Sequence, residues 1–218
     1  MDSKVIGLGF QKTGTSSLRD ALKILGYNVK DTSQRALIPI LKGNDKKIKR
    51  ILKNYNALED TPWYIIYKKL DDWYPKSKFI LTIREEESWY KSVSRHVGDL
   101  KNPMHEWIYG KGRSLPKHHK ENTIHTYKEH VKNVKEYFKD RPKDLLIVDF
   151  SKNEGWKEIC EFLNKDIPKT SFPHANKTIK KEINFFENNS RKFKLFRKKI
   201  KYSIKIAYID CFIGWNNK

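Results

Sequence analysis

The chain has 218 residues, a length that favours a single domain. Hydrophobic residues make up 38% of the chain and aromatic residues 13%, which excludes a disordered protein although 33% of the residues are charged. The formal net charge of +20 predicts attraction to polyanions, while the low arginine content, nine residues, argues against a sequence-specific nucleic-acid binder.

The first predicted elements are a strand, a loop and a helix. An apolar strand covers residues 4–10. After a glycine-rich loop, a helix ends at Gly26 and carries apolar residues at helical spacing: Leu18, Ala21, Leu22 and Leu25. A short strand is predicted at residues 27–30, and a helix follows around Ile48, Ile51 and Leu52.

The middle of the chain repeats this order. An apolar pair at residues 57–58 leads into two acidic residues, and Pro62 then opens a predicted helix, since proline suits a first helical turn. The apolar run at residues 79–83 has the composition of a strand that is buried on both faces. It ends in Arg84 and precedes a further helix.

The last strand and helix are predicted at residues 145–150 and 155–163. Repeated alternation of strand and helix predicts an α/β protein, which we interpret as a single-domain, P-loop-like three-layer fold with a central, mostly parallel sheet flanked by helices. Such sheets bind ligands beyond the carboxyl ends of their strands. The loop at residues 10–16, the pair Glu59-Asp60 and Arg84 all fall at these ends.

Two segments fall outside this pattern. Residues 98–122 have no clear period and are interpreted either as a lid or acceptor-site loop, or as a solvated excursion. Seven cations alternate with apolar residues at 191–201, which predicts an amphipathic helix. We therefore expect an α/β domain at residues 1–180 and a basic C-terminal helical extension at 181–218 that packs on the same domain. A peripheral membrane contact through residues 191–215 is the alternative.

Targeting and disulfide signals are not visible. No run approaches the roughly 20 apolar residues of a transmembrane helix, and the first residues show no basic region followed by an apolar one. Cys160 and Cys211 lack a CxxC spacing, which argues against a disulfide framework or a zinc site. We expect a cytoplasmic protein with both thiols in its core.

The loop at residues 9–16 keeps the outer frame of a phosphate-binding P-loop, Gly-x4-Gly, with Ser16 at the terminal hydroxyl position. Thr15 stands where such a loop carries its lysine, and the cation of this loop, Lys12, lies at the crest. The backbone amides can still form a nest for an anion at a helix N-terminus.

The displaced lysine bears on the chemistry of the bound anion. Phosphoryl transfer from ATP places dense negative charge on the transferred group, which Mg²⁺ and a lysine neutralise together. The strand ends offer no good second acidic motif for magnesium, since only Asp149 could serve. A sulfuryl group carries less charge during transfer, so one lysine and backbone amides could suffice without a metal. We interpret the loop as phosphosulfate-binding.

These motifs resemble those of sulfotransferases that use 3′-phosphoadenylyl sulfate (PAPS). Residues 12–17, Lys-Thr-Gly-Thr-Ser-Ser, are similar to their 5′-phosphosulfate loop, and Arg84 with Ser92 matches their 3′-phosphate clamp. One branch of the family shares further elements with this chain: Asp60-Thr61-Pro62, the run 79–84 followed by Trp89, Gly155-Trp156, and Phe172-Pro173-His174-Ala175-Asn176. In this order the likeness spans residues 4 to about 177.

The resemblance implies an enzyme that moves a sulfuryl group from PAPS to a hydroxyl acceptor, with a carbohydrate as the favoured acceptor and with no metal and no specific nucleic-acid partner. Lys12 would stabilise the charge on the bridging oxygen as adenosine 3′,5′-bisphosphate (PAP) departs. The implied cofactor-binding residues are Gln11, Lys12, Thr13, Gly14, Thr15, Ser16, Ser17, Arg84, Ser92 and Asn176.

The acceptor hydroxyl requires a general base, for which Glu59 and Asp60 are the candidates. Only one of two neighbours in an extended segment can face the cofactor. The resembling branch places its acid where Asp60 stands, and glycan sulfotransferases with a similar segment place theirs where Glu59 stands. We prefer Asp60 and retain Glu59.

The acceptor and the function class have further alternatives. Aromatic and basic residues of the segment 98–122 could stack on a sugar and hold an acidic substituent: Trp107, Tyr109, Lys111 and Arg113. A nucleotide or sugar kinase with a deviant P-loop, and a basic nucleic-acid- or membrane-binding protein, are the rival functions.

Overall fold

The structure is a computed structural model that describes residues 3–97, 100–173 and 185–215. Within these ranges the strands are β1 (Val5–Gly7), β2 (Val29–Lys30), β3 (Ala57–Leu58), β4 (Lys78–Thr82) and β5 (Leu145–Val148). The α-helices of the same ranges are α1 (Thr15–Ile24), α2 (Leu37–Leu41), α3 (Asp45–Leu52), α4 (Tyr67–Trp73), α5 (Glu86–Val97), α6 (Pro103–Tyr109), α7 (Lys120–Tyr137), α8 (Trp156–Leu163) and α9 (Phe185–Phe212).

The five strands form one sheet in the order β2-β3-β1-β4-β5, and every neighbouring pair is parallel. The prediction of a mostly parallel sheet is therefore confirmed. Because the strands are parallel, the chain leaves β1, β3 and β4 at the same edge of the sheet. The glycine-rich loop, the acidic pair and Arg84 follow these three strands.

Helices cover both faces of the sheet, which confirms the three-layer arrangement. Alternating side chains of β1 point to opposite faces, as the period of a strand requires. Val5 packs in a cluster with residues of α1 and α8, and Ile6 packs in a second cluster with residues of α2 to α7. The near-continuous apolar character of β4 has the same origin, since Phe79 and Ile80 belong to different clusters.

The helix predicted from Pro62 begins later, at Tyr67. Thr61 accepts a backbone hydrogen bond from Ser33 (2.9 Å), and the indole nitrogen of Trp63 donates to Asp31 O (3.2 Å). These contacts tie the segment after β3 to the loop after β2, so residues 61–65 form turns instead of a regular helix.

The expectation of an irregular lid or excursion at residues 98–122 is wrong for most of its described part. Asn102 caps α6 by accepting from Met104 N (2.9 Å), and Pro103 occupies the first turn. Trp107 and Tyr109 are buried in the core, and α7 begins before the segment ends.

The predicted C-terminal amphipathic helix lies within α9, which packs against α6. Tyr202 and Ile209 of α9 are buried, and Lys205 Nζ donates to Gln34 O (2.6 Å). Cys160 is buried as expected, but Cys211 is exposed on α9, so the expectation of two core thiols is wrong. Along the described part of the chain, no helix is both long enough and apolar enough to cross a lipid bilayer. The division at residue 180 stays a prediction.

Candidate active site

The loop between β1 and α1 is held in one shape by close contacts. Thr13 Oγ1 donates to Phe10 O (2.7 Å) and shares a hydrogen bond with Thr82 Oγ1 (2.6 Å) at the end of β4. A Cβ atom on Gly9 would lie 1.8 Å from the same Thr82 oxygen. Gly14 has a φ of +113°, and a Cβ there would lie 2.5 Å from the ring of Phe150. Glycine is therefore required at both ends of the loop.

The N-terminus of α1 follows this loop and is open to an anion. No side chain caps its first amides, and its first turn contains no acidic residue. These amides have no acceptor inside the helix, and the helix dipole adds a partial positive charge. Thr15 and Ser17 are buried, whereas Lys12 and Ser16 are partly exposed. A ligand at this terminus would meet the Lys12 and Ser16 side chains.

Lys12 lies at the crest of the loop with a φ of +72°, in the left-handed region that lysine rarely adopts. Its pKa is lowered, first by burial and then by the charge of Arg84, while the charge of Asp60 acts in the opposite direction. Arg84 and Asp60 are thus both close enough for their charges to act on Lys12.

Gln11 is fixed by three aromatic side chains. Tyr64 OH donates to Gln11 Oε1 (2.9 Å), and Gln11 Nε2 donates to Tyr109 OH (2.6 Å). The indole nitrogen of Trp89 donates to Gln11 O (2.9 Å). Because both polar atoms of its side chain face tyrosines, any cofactor contact of Gln11 would come from its main chain. This network was not visible in the sequence, although Trp89 belongs to the resembling motif.

Glu59 points into the protein at the end of β3. Its side chain is almost fully buried, its Oε1 atom has no hydrogen-bond partner, and Oε1 lies 3.1 Å from where a Cβ of Gly7 would be. Burial raises its pKa well above the ordinary value, the charges of Asp60 and Asp31 raise it further, and Arg19 opposes them. These surroundings favour the neutral carboxyl group.

Asp60 adopts a left-handed conformation with a φ of +66°, and its residue is partly exposed. Its Oδ1 atom accepts hydrogen bonds from Thr61 N (2.6 Å) and Thr61 Oγ1 (2.9 Å). Loss of solvent around the carboxylate raises its pKa, and the hydrogen bonds from Thr61 oppose this shift. Of the two acids, Asp60 is the one whose charge acts on Lys12.

Arg84 follows β4 and carries a side chain that is partly exposed. Its Nε atom donates to Ser88 Oγ (2.9 Å), a residue that the sequence analysis did not single out, although a serine four positions along a helix is within reach. Ser92 lies one turn further along α5 and is half-buried.

The acidic residues next to Arg84 are engaged elsewhere. Glu85 accepts from the Glu87 and Ser88 amides, Glu86 pairs with Lys128 (3.1 Å), and Glu87 pairs with Lys120 (3.0 Å). In the described ranges, no ion pair joins Arg84 to any of these three acids. The guanidinium is therefore placed to receive an external anion.

Aromatic residues close the loop on the side of β5. The rings of Phe150 and Phe172 lie 4.8 Å apart, and Trp156 packs edge-on against Phe172 at 5.2 Å. A Cβ on Gly155 would lie 2.9 Å from the Phe172 ring. The position of this ring therefore requires glycine at residue 155. Asn176 lies outside the described residues, and its cofactor role stays a prediction.

Three carboxylates meet beside the loop. One oxygen each from Asp31, Glu59 and Asp60 lies within 4.8 Å of the others, an arrangement that could hold a cation. Arg19 pairs with Asp31 (3.1 Å) and supplies positive charge to this group.

Asp149, the residue considered for magnesium, instead accepts from Ser151 N (3.0 Å) and Ser151 Oγ (2.6 Å). The absence of a metal stays a prediction.

A cavity of about 730 Å³ opens between α4 and α7. Phe10 of the loop and Trp107 of α6 contribute to its wall, together with polar residues of α7 that include His125, Glu129 and Asn133. Of the four proposed acceptor residues, Tyr109 is committed to Gln11, Lys111 pairs with Asp210 (2.8 Å), and Arg113 donates to Asn122 (2.9 Å). Trp107 alone among these four lines the cavity.

The chain is similar to several known proteins. A family model described as a sulfotransferase domain matches residues 4–118 and 104–180. A curated relative, the Ava biosynthesis cluster protein M of Aspergillus versicolor, is 28% identical over an alignment 211 residues long, and the match covers 78% of this chain and 80% of that protein. The crystal structure of mouse sulfotransferase SULT7A1 complexed with PAP covers 96% of this chain and 87% of its own, at 15% identity and a TM-score of 0.43.

Proposed function

This chain belongs to the sulfotransferase-domain family, and we propose that it transfers a sulfuryl group from PAPS to a hydroxyl acceptor. Family membership confirms the resemblance found in the motifs. The donor, the residue roles and the acceptor are parts of the proposal.

The observation that carries the proposal is that Lys12, Asp60 and Arg84 follow three parallel strands at the same edge of the sheet, where the open N-terminus of α1 also lies. Two cations and a set of amides can receive the two phosphate ends of PAPS, with the 5′-phosphosulfate on the loop and the 3′-phosphate at Arg84. A 3′-phosphate distinguishes PAPS from ATP, so Arg84 would supply the selectivity.

The transfer then needs three events at named atoms. Asp60 takes the proton of the acceptor hydroxyl as the acceptor oxygen forms its bond to sulfur. The bond from sulfur to the bridging oxygen of the 5′-phosphate breaks, and PAP leaves with that electron pair. Lys12 stabilises the charge that develops on the bridging oxygen. Asp60 is preferred to Glu59 because Glu59 is buried and directed towards Gly7.

For the acceptor, we propose a carbohydrate hydroxyl. The support is the cavity beside Phe10, in which the Trp107 ring and the polar side chains of α7 form a mixed wall. Aromatic faces and hydrogen-bonding groups are what a sugar ring requires, since it presents both C–H and O–H surfaces.

A transfer assay with radiolabelled PAPS and a panel of hydroxylated acceptors tests the proposal. We expect labelled product, release of one PAP per transfer, and a loss of about 100- to 1,000-fold in kcat for Lys12→Ala. Lys157→Ala, at an exposed lysine of α8, is the matched control and should keep full activity. Phosphoryl transfer from ATP with Mg²⁺, in the absence of any transfer from PAPS, would overturn the proposal in favour of a kinase.

A further inference from the structure

Helix α9 exposes a row of large apolar residues. They recur every four positions, so each member lies about one turn after the last and about 40° further around the helix, and the row winds through about 160°. Their exposed fractions are 59% for Phe196, 46% for Ile200, 64% for Ile204, 39% for Tyr208 and 76% for Phe212. We call these five residues the apolar row. With a rise of about 1.5 Å per residue, the row extends over roughly 24 Å.

The opposite side of α9 is already occupied. Tyr202 and Ile209 are buried, and α9 packs against α6. Lys205 Nζ donates to Gln34 O (2.6 Å), and Asp210 pairs with Lys111 (2.8 Å). The helix is therefore attached to the rest of the protein by one face. The apolar row borders that face at Tyr208, whose OH accepts from Lys42 Nζ (3.4 Å), and its other four members lie on the surface that the attachment leaves open.

The sequence around the apolar row is strongly basic. Residues 194–209 contain six cations and no acidic residue: Lys194, Arg197, Lys198, Lys199, Lys201 and Lys205. A row of apolar residues that is exposed to solvent indicates a binding surface. A basic amphipathic helix of this kind can lie in the interface of an anionic bilayer. The lysine stems can cover apolar surface while their ammonium groups reach lipid phosphates.

We propose that α9 binds the surface of an anionic lipid membrane through the apolar row, with the helix lying parallel to the bilayer. Charge complementarity selects this occupant. A second copy of the chain would bring the same dense positive charge against the row, whereas phosphatidylserine or similar lipids supply the opposite charge. The proposal does not depend on the proposed enzymatic activity.

Co-sedimentation of the full chain with vesicles tests the proposal. We expect binding to vesicles of phosphatidylcholine mixed with phosphatidylserine, no binding to phosphatidylcholine alone, and loss of binding at about 0.5 M salt. The double variant Ile200→Gln/Ile204→Gln should bind about tenfold more weakly, because it removes two apolar contacts with the interface. Lys199→Gln/Lys201→Gln should lose affinity by a similar factor.

Two matched controls come from α8 and the segment that follows it. Ile167 is exposed to 59%, as much as Phe196, and Lys157 and Lys169 are exposed lysines. Ile167→Gln and Lys157→Gln/Lys169→Gln should bind like the unmodified chain. Circular dichroism and thermal unfolding should show all four variants folded, since every change is on the surface.

Three results would overturn the proposal. The first is equal binding to neutral and anionic vesicles. The second is an equal loss of vesicle affinity in the α9 variants and in their controls. The third is that the unmodified chain does not bind vesicles but self-associates in sedimentation velocity, whereas the Ile200→Gln/Ile204→Gln variant is monomeric. The last result would assign the apolar row to a second copy of the chain.

Discussion

Glu59 and Asp60 are adjacent in sequence but lie in different surroundings. Glu59 continues the direction of β3 and ends against Gly7 inside the protein, with one oxygen lacking a hydrogen-bond partner. Asp60 turns through a left-handed conformation, and its charge acts on Lys12. Both pKa values are raised by loss of solvent, but only Asp60 has hydrogen bonds from Thr61 that oppose the shift. We infer that Asp60, and not Glu59, supplies the ionised carboxylate that acts as the general base.

We expect the substitutions Asp60→Asn and Glu59→Gln to separate these roles. Asp60→Asn should lower kcat/KM with PAPS by about 100- to 10,000-fold, because the amide cannot accept the acceptor proton. Glu59→Gln should stay within a few-fold of the unmodified enzyme, because it replaces a carboxyl group that its surroundings keep neutral. Steady-state assays of both variants, with thermal unfolding to verify the fold, provide the measurement. The reverse order of activities would identify Glu59 as the base.

The free energy of unfolding should depend on pH through Glu59. The folded-state pKa of Glu59 is raised, so the folded protein binds this proton more tightly than the unfolded chain does. The resulting stabilisation is complete below the unfolded-state pKa of about 4.3 and is lost as the pH rises through the folded-state pKa. Glutamine does not titrate, so Glu59→Gln should gain stability relative to the unmodified chain as the pH rises.

Urea unfolding of the two proteins at about pH 5 and about pH 8 measures this difference. Asp140→Asn, at an exposed carboxyl group after α7, is the matched surface control. A stability difference between Glu59→Gln and the unmodified chain that stays constant across this range would contradict a protonated Glu59.

At the scale of elements, the connection from β1 to α1 depends on Gly14. Alanine at this position would have to adopt a φ of +113° and would meet the ring of Phe150. We expect Gly14→Ala to cost about 1–3 kcal/mol of unfolding free energy and to weaken PAP binding at least about tenfold, since the first amides of α1 would shift.

Gly43→Ala is a matched control for Gly14→Ala. Gly43 also has a positive φ, of +63°, but a Cβ atom there would meet nothing within 4 Å. It should therefore show the cost of the backbone conformation, about 1 kcal/mol, without a loss of PAP affinity. Calorimetric titration of both variants with PAP checks this, and equal losses in the two would show that the position of Gly14 at the loop is irrelevant.

Sequence patterns predicted the elements whose residues face a single environment. The runs that became β1 and β4 are apolar because both sheet faces are covered, and the leucines of α1 repeat because one face of that helix meets the sheet. The placement of Lys12, Asp60 and Arg84 at one edge followed from the parallel topology alone. Predicting this placement required no knowledge of side-chain positions.

Elements with mixed surroundings were not predictable in the same way. In α7, Tyr127 packs against Trp89 while His130 contacts Leu8 O, so polar and aromatic residues occupy core positions and the apolar period is obscured. The delayed start of α4 depends on contacts with the loop after β2, which no local pattern encodes. The Gln11 network depends on Tyr109, which is 98 residues away in sequence.

At the scale of the whole molecule, two groups of cations that contribute to the net charge of +20 lie at places relevant to function. Lys12 and Arg84 lie at the candidate site, and six cations lie on α9 between residues 194 and 209. A field of this sign raises the local concentration of anionic ligands and speeds their association. The same field disfavours self-association through α9 and favours contact with an anionic surface. The compartment of the protein stays a prediction.

Calorimetric titration of the full chain with PAP and with adenosine 5′-phosphate, which lacks the 3′-phosphate, tests the central claim most directly. We expect the unmodified chain to bind PAP about 100-fold more tightly than adenosine 5′-phosphate, because charge-assisted hydrogen bonds from Arg84 hold the 3′-phosphate. In Arg84→Ala this preference should disappear, whereas Arg95→Ala, at an exposed arginine of α5, should retain it. Equal affinity of the unmodified chain for both nucleotides, or a preference that survives in Arg84→Ala, would contradict the proposed site.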